Sequence, residues 1–293
     1  MSSDFRFNSN ALLLHGFSCH QFETLGSTQD LLKEWVSRDL ASPGTVIVAS
    51  GQTNGRGRQG HSWESLHGKG LWMSVYFRPF IPVEMAFSWN MQLALAVCRA
   101  LDALVPWVPW KIKWPNDWVT PQGLKVGGML VENQLRGSMI TDSLVGIGIN
   151  VEEGAVDNRL PSATTLQGEW KRARHTDLSE LESGMNTDSL WKSMLPELKI
   201  LLDQTTPKPE KPESEIKIIE NKAWNPRDAV KQAETRLYGL GRVLPFESEN
   251  RIEYWIPTGL DQGGGLHVLS EQGGLQQTLI HPNHRLSYAL NLL

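Results

Sequence analysis

Cysteine is scarce, with Cys19 and Cys98 the two examples in 293 residues. No CxxC pair and no Cys/His cluster at zinc spacing occurs, which excludes disulfide-stapled scaffolds and thiolate metal sites. This usage fits a reducing, cytoplasmic setting. Cys98 lies in an apolar run and reads as a small buried hydrophobe. Basic excess is lacking too. The net charge is −4 and the pI about 6.1, opposite to a general nucleic-acid binder, so any cationic surface is local. Long apolar runs are missing: the leucines at 12–14 are too few for a signal core, and nothing approaches a membrane span. No Ser/His/Asp or Cys/His set stands out as a nucleophile. What remains is a soluble globular composition, 40 % hydrophobic and 20 % charged, long enough for one large or two ordinary domains. Tryptophan is abundant, with 12 residues, and most are expected in packed interiors.

The most informative stretch runs Gln52-Thr53-Asn54-Gly55-Arg56-Gly57-Arg58-Gln59-Gly60-His61-Ser62-Trp63. Glycine admits positive φ and lets backbone N–H groups approach a ligand. Arginine adds a fixed charged fork that matches phosphate or carboxylate oxygens. The stretch therefore suits an anionic small molecule. A flexible turn and an RNA-binding Arg-Gly segment are the other readings of it taken alone.

Residues 1–20 read as a polar, irregular N-terminal extension. Gln21–Leu25 reads as a strand, followed by a helix capped by Ser27 or Thr28 with Asp30 in its first turn. Thr45–Ala49 is β-branched and delivers the Gly/Arg loop to a sheet edge. Gly70–Phe77 is a second strand, and Phe87–Val105, apolar nearly all round, a buried helix backing the sheet. In Lys113-Trp114-Pro115-Asn116-Asp117 the proline keeps Trp114 extended and Pro-Asn-Asp forms a turn. Leu124–Glu132 and Leu144–Val151 are strands interrupted by glycines, which marks close approach to a ligand or another strand. Thr187–Gln204 is an amphipathic helix. The proline-rich, charged 205–216 segment reads as a linker. Beyond 217 helical periodicity fades, and short strands at 242–246, 252–256, 266–270 and 275–280 indicate a small antiparallel barrel.

Ser27-Thr28, Gln52, the GRGRQG loop with Trp63, KWPND at 113–117, LKVGGMLVE at 124–132 and GIGIN at 146–150 occur in one order. Together they closely resemble the catalytic domain of biotin protein ligases, the biotin–[acetyl-CoA-carboxylase] ligases, over roughly residues 22–150. The resemblance implies an α+β fold: a mixed sheet backed by helices, related to class II synthetases, over 21–204. It also implies an SH3-like barrel over 217–293. The implied reaction has two steps. Biotin carboxylate attacks the α-phosphate of ATP to give biotinyl-5′-AMP, and a lysine of a biotin carboxyl carrier protein then takes the biotin. ATP, biotin and Mg²⁺, the last held mainly through phosphates, are the implied ligands.

Carried over by motif, Ser27, Thr28, Gln29 and Gln52 would contact biotin. Arg56, Gly57 and Arg58 would line biotin and phosphate. Lys125 would contact both the carboxylate and the α-phosphate, and with Arg58 is the expected catalytic residue. Asn116 and Asp117 would place the nucleotide, with Trp63 and Asn150 beside the adenosine. Asn54, Gln59 and Gln29 depart from the family pattern; lower loop charge at Gln59 would weaken adenylate retention. The stretch before residue 21 is too short for a helix-turn-helix domain, so a monofunctional enzyme without operator binding is expected. A homodimer is compatible with the resemblance. The competing readings are a lipoate or octanoate transferring relative, against which no Arg-Arg…Gly-Gly-Gly run is found, and a nucleic-acid binder using GRGR.

Overall fold

The computed structural model describes residues 11–60, 63, 66–156, 162–174, 185–205, 226–248, 251–270, 274–279 and 285–286. β2 (Phe17–Phe22), β3 (Thr45–Ala49), β4 (Gly70–Phe77), β8 (Lys125–Arg136) and β9 (Met139–Asn150) form the centre of a nine-stranded sheet. β1 (Leu12–Leu14) closes one edge; β7 (Asp117–Val119) and β6 (Lys111–Lys113) close the other, and β5 (Ile81–Pro82) pairs with β9. β2 and β3 run parallel and their neighbours antiparallel, so the sheet is mixed, as expected. Every residue of β3 and β4 is buried, which explains why both read as continuous apolar runs.

The sheet has two differently covered faces. α1 (Thr28–Ser37) lies on one, where Leu32 and Trp35 pack with Ile47, Ala49, Tyr76 and Leu144. Ser27 caps it, its side chain accepting from the Asp30 N–H. α2 (Ala86–Leu104) covers the opposite face with Leu93, Val97 and Leu101 fully buried against Leu71, Met73 and Val75. Each such side chain contributes about 1.5–3 kcal/mol by leaving water. α4 (Thr187–Thr205) packs beside α2, as its amphipathic pattern predicts. Cys98 is indeed a buried hydrophobe.

Several elements differ from the sequence-based expectation. Residues 12–20 are not irregular: β1 and β2 form a hairpin through His15 and Gly16, both at positive φ, and extend the sheet. The β8–β9 hairpin runs through the polar 133–143 stretch, and Gly137, at φ 59, makes its tight turn. α3 (Leu166–Arg174) and α5 (Pro226–Thr235) were not expected. α5 buries a stripe of small residues, Ala229, Val230 and Ala233, too weak a pattern to announce a helix. Thr205 ends α4 instead of opening the linker; the rest of the 205–216 segment lies outside the described residues.

The C-terminal strands β10 (Leu244–Ser248), β11 (Arg251–Leu260), β12 (Leu266–Ser270), β13 (Gln276–Leu279) and β14 (Arg285–Leu286) form one antiparallel sheet in the order β13-β12-β11-β10-β14. This unit is tied to the larger sheet. Ile112 exchanges backbone hydrogen bonds with Arg236 and Tyr238, Arg236 pairs with Asp102 at 2.6 Å, and the Trp114 indole donates to the Gly264 carbonyl at 2.9 Å.

Candidate functional site

Strand registers place two rows of side chains across the α1 face of the sheet. One row is Ser74, Gly146 and Leu130; the next is Trp72, Gly148, Gly128 and Asp117. Directly paired residues share a face, so the three glycines remove side chains from the middle of both rows. The result is a trough of about 370 Å³ whose floor is backbone, the size of a small-ligand site. A Cβ on Gly148 would come within 2.7 Å of the Trp63 indole, and one on Gly128 within 2.6 Å of Asp117 Oδ1.

At one end, buried polar groups form a connected network. Gln52 Oε1 accepts from the Thr28 N–H at 2.7 Å and from the Thr28 hydroxyl at 3.2 Å. The Thr28 and Ser74 hydroxyls are 2.9 Å apart, and Ser74 donates to Gln29 Oε1 at 3.0 Å. Gln29 Nε2 donates to Glu132 at 3.0 Å. Glu132 also meets Lys33 and Arg56. Burial pushes its carboxyl up, but the hydrogen bonds from Gln29 and Lys33 and the Arg56 charge outweigh this and hold it below its ordinary value.

The Gly/Arg loop lies over this end. Thr53 and Asn54 donate backbone hydrogen bonds to Leu25 and Gly26, and the Trp63 N–H returns to Gly55 O at 3.0 Å. A side chain at Gly55 would strike the Trp63 carbonyl at 2.4 Å, so this close backbone approach requires glycine. Arg56 reaches Asp30 at 2.6 Å, and Arg58 donates to Asn116 Oδ1 at 3.0 Å. Asn116 in turn donates to the Met129 carbonyl. Both arginines line the trough and are tied to neighbouring Asp30 and Asn116, Arg56 at its partly exposed rim, which does not suit a nucleic-acid reading that needs an exposed basic stripe.

The other end carries the remaining charge. Lys125 Nζ lies 2.8 Å from Asp117 Oδ1 and 5.1 Å from the Trp63 ring centroid. Lys113 lines the same wall and is 5 % exposed. Burial pushes its amine down to about 7; Lys125 adds to this, while Asp117 and Glu247 oppose it. The Trp63 and Trp72 indole N–H groups are buried with no hydrogen-bond partner among the described residues. Such orphaned donors in a cavity wall fit a ligand rich in acceptors.

Ser27, Thr28, Gln29, Gln52, Arg56, Gly57, Arg58, Trp63, Asn116, Asp117 and Lys125 thus come together around one trough. Asn150 does not join them. It sits one row beyond the glycine floor, paired with Gly70, and donates to the Thr164 carbonyl at 3.2 Å. The Gln59 side chain lies outside the described residues. Sequence reasoning passed over Ser74, Trp72, Lys113, Glu132 and Glu247. Ser74 and Trp72 carry a legible signal, because they occupy alternate positions of β4 and Ser74 is a small polar residue in an otherwise apolar and aromatic run. Glu247 carries none, since it arrives from the C-terminal sheet.

Lys113 yields a pH test. The unfolded chain keeps this amine charged up to about 10.5, the folded chain only to about 7. The folded state thus bears the full burial cost below pH 7 and sheds it as pH rises toward 10.5. Lys113→Met is expected to raise the melting temperature at pH 6.5, with the gain shrinking at pH 9. Thermal scans at both pH values check this; an equal gain at the two would contradict it.

Comparison with known proteins bears on this trough. Residues 22–150 match the family model described as Biotin/lipoate A/B protein ligase family. The bifunctional ligase/repressor BirA of Bacillus spizizenii is 34 % identical over 155 residues, 53 % of this chain and 46 % of that protein. The biotin–[acetyl-CoA-carboxylase] ligase of Mycobacterium tuberculosis is 34 % identical over 147 residues, 48 % of this chain and 52 % of that one. The chain thus spans about half the length of these curated relatives. Among solved structures, biotin protein ligase from Aquifex aeolicus in complex with biotin and ATP superposes with a TM-score of 0.67 at 26 % identity, covering 92 % of this chain and 98 % of that one.

Proposed function

We propose that this chain, whose residues 22–150 match the model of the biotin/lipoate A/B protein ligase family, is an ATP-dependent biotin protein ligase. The observation that carries the reading is the trough itself. A buried hydroxyl and amide network at one end suits a neutral polar head group, and a cationic wall at the other suits anions meeting there. Biotin combines such a head with a carboxylate, and ATP brings the phosphates. A similar structure, the Aquifex aeolicus enzyme, is described in complex with those two molecules.

In this reading Thr28, Gln52 and the adjoining Ser27 and Gln29 hold the biotin head. Arg56 and Arg58 flank the chain and phosphate from the loop. Lys125 stands where the carboxylate attacks the α-phosphate, offsetting the repulsion between the two anions. Asn116 and Asp117 place the nucleotide. Magnesium would enter with the triphosphate and shield its charge; Asp117 supplies the carboxylate oxygen such an ion ordinarily takes beside phosphates. Trp63 and the closed loop keep water from the mixed anhydride. The second reactant is a lysine of a biotin carboxyl carrier protein, the acetyl-CoA carboxylase subunit being the expected carrier. The reading includes neither operator binding nor a membrane partner; a cytoplasmic site and a homodimer accord with it. Among the described residues no helix is long and apolar enough to cross a membrane.

Biotin-dependent exchange of pyrophosphate into ATP tests the first step. Exchange with biotin is expected. Exchange with lipoate or octanoate and none with biotin would contradict the reading in favour of the sister chemistry.

A further inference from the structure

Both main-chain polar groups of Lys125 are taken up by a segment far along the chain. Its N–H donates to the Ser162 carbonyl at 2.7 Å, and its carbonyl accepts from the Thr164 N–H at 2.8 Å. Ala163 thereby forms an isolated parallel bridge with Lys125. The sheet itself holds this position less regularly. Pairing of β8 with β9 begins two residues further on, at Gly127 and Ile149. The register with β7 shifts between Trp118 and Val119, the partner of Lys125. The 162–164 segment thus stands in the place of a neighbouring strand. A lysine acts from a flexible four-carbon stem, so its charge is aimed only when both ends are fixed. Asp117 holds the tip, 2.8 Å from Nζ. The segment holds the root.

Thr164 ties the segment down. It is 4 % exposed, and each of its polar groups is used. The N–H goes to Lys125, the carbonyl accepts from Asn150 Nδ2 at 3.2 Å, and the hydroxyl donates to Glu169 Oε1 at 2.5 Å. Glu169 is buried; Arg172 pairs with it and also donates to the Thr164 hydroxyl at 3.1 Å. Glu169 stands in the first turn of α3, where the helix dipole favours a carboxylate. Thr165 roots that helix directly behind Thr164: its side chain accepts from the Gly168 N–H at 3.1 Å, and its carbonyl from the Glu169 N–H at 3.0 Å. A hydroxyl that donates to a carboxylate makes a strong, charge-assisted anchor. Thr164 and Glu169 do not themselves line the trough.

We propose that Thr164 and Glu169 are positioning residues for the adenylation step: through the main chain of Lys125 they set the line along which its ammonium meets the biotin carboxylate and the α-phosphate. This deepens the ligase reading above and rests on it. Loss of the anchor leaves the groups that line the trough in place and misaims one charge.

The experiment follows biotin-dependent pyrophosphate exchange in the full chain, below the melting temperature of every variant. Thr164→Val removes the hydroxyl at nearly constant volume, and Thr164→Ser keeps it. Thr164→Val is expected to lower kcat about tenfold, with KM for biotin and for ATP changing less than about twofold. Thr164→Ser is expected to stay near the unsubstituted rate. In a Lys125→Ala background Thr164→Val is expected to cost nothing further, because residues that act through one group are not additive. Glu169→Gln, whose amide still accepts the hydroxyl but without its charge, is expected to lower kcat about threefold and to show the same dependence on Lys125; it carries the cycle if Thr164→Val does not fold. An equal loss with and without Lys125 would overturn the proposal, because it would make the anchor a general support of the domain. So would an unchanged kcat in both anchor variants. An unsubstituted chain with no biotin-dependent exchange defeats the ligase reading and this inference together; an active one whose anchor variants lose as much without Lys125 defeats this inference alone.

Discussion

Lys125→Ala is expected to lower biotin-dependent pyrophosphate exchange by roughly a hundredfold to a thousandfold, the usual cost of removing one aimed charge-stabilising group. Lys125 begins β8 at the edge of the glycine floor, with its side chain about a quarter exposed. Its ammonium sits between Asp117 and the Trp63 ring, 2.8 Å from the one and 5.1 Å from the centre of the other. Two anions must meet in this trough for the first step, and Lys125 lines its wall beside Asp117. The variant also leaves Asp117 without that partner, so Lys125→Met and a thermal melt accompany the assay. A folded, inactive pair of variants supports a charge role. Exchange at the wild-type rate in either variant would remove Lys125 from the chemistry.

Gly148→Val addresses the trough as a shape. Gly148 lies at the centre of the floor, between Trp72 on β4 and Gly128 on β8. A branched side chain there enters the space of the ligand and of the Trp63 indole, whose ring atoms already lie within 2.7 Å of a Cβ position. Overpacking of this kind costs about 1–3 kcal/mol, so biotin affinity is expected to fall by up to roughly a hundredfold. The nearest group is a loop side chain that can move, so the melting temperature should change little. Calorimetric titration with biotin, paired with a melt, separates the outcomes. Retained affinity would mean that the ligand does not rest on this floor.

Much of this arrangement is legible in the chain because local chemistry decides it. Ser27 caps α1, Asp30 follows in the first turn, and the same helix start aims Thr28 into the site. The alternation of Gly146 and Gly148 signals close approach, and the register shows what approaches. The Gly/Arg loop is legible as a cationic stretch at a sheet edge, and Arg56 and Arg58 do line the trough. Other parts depend on contacts far apart in sequence. Glu247 enters the trough from a different sheet more than a hundred residues after Lys125, and no local pattern marks it. Asn150 reads as a site residue because it ends a glycine-rich strand on the correct face; it lies one row beyond the glycine floor and bonds the Thr164 carbonyl, a partner that no local pattern announces. β1 and the start of β2 are missed because β1 is a three-residue edge strand whose leucines are largely exposed, and the half-buried Ser18 and His20 break the apolar pattern of β2. α5 is missed because its buried stripe is made of small residues.

The reading of the trough stands or falls on whether a carrier lysine acquires biotin. The chain is incubated with biotin, ATP, Mg²⁺ and a biotin carboxyl carrier domain, and the intact mass of the carrier is measured. The account predicts a gain of one biotinyl group that requires ATP, is absent when the carrier's target lysine is replaced, and is lost with Lys125→Ala. A carrier mass that stays unchanged with biotin, or that shifts only when lipoate or octanoate is supplied, would contradict it.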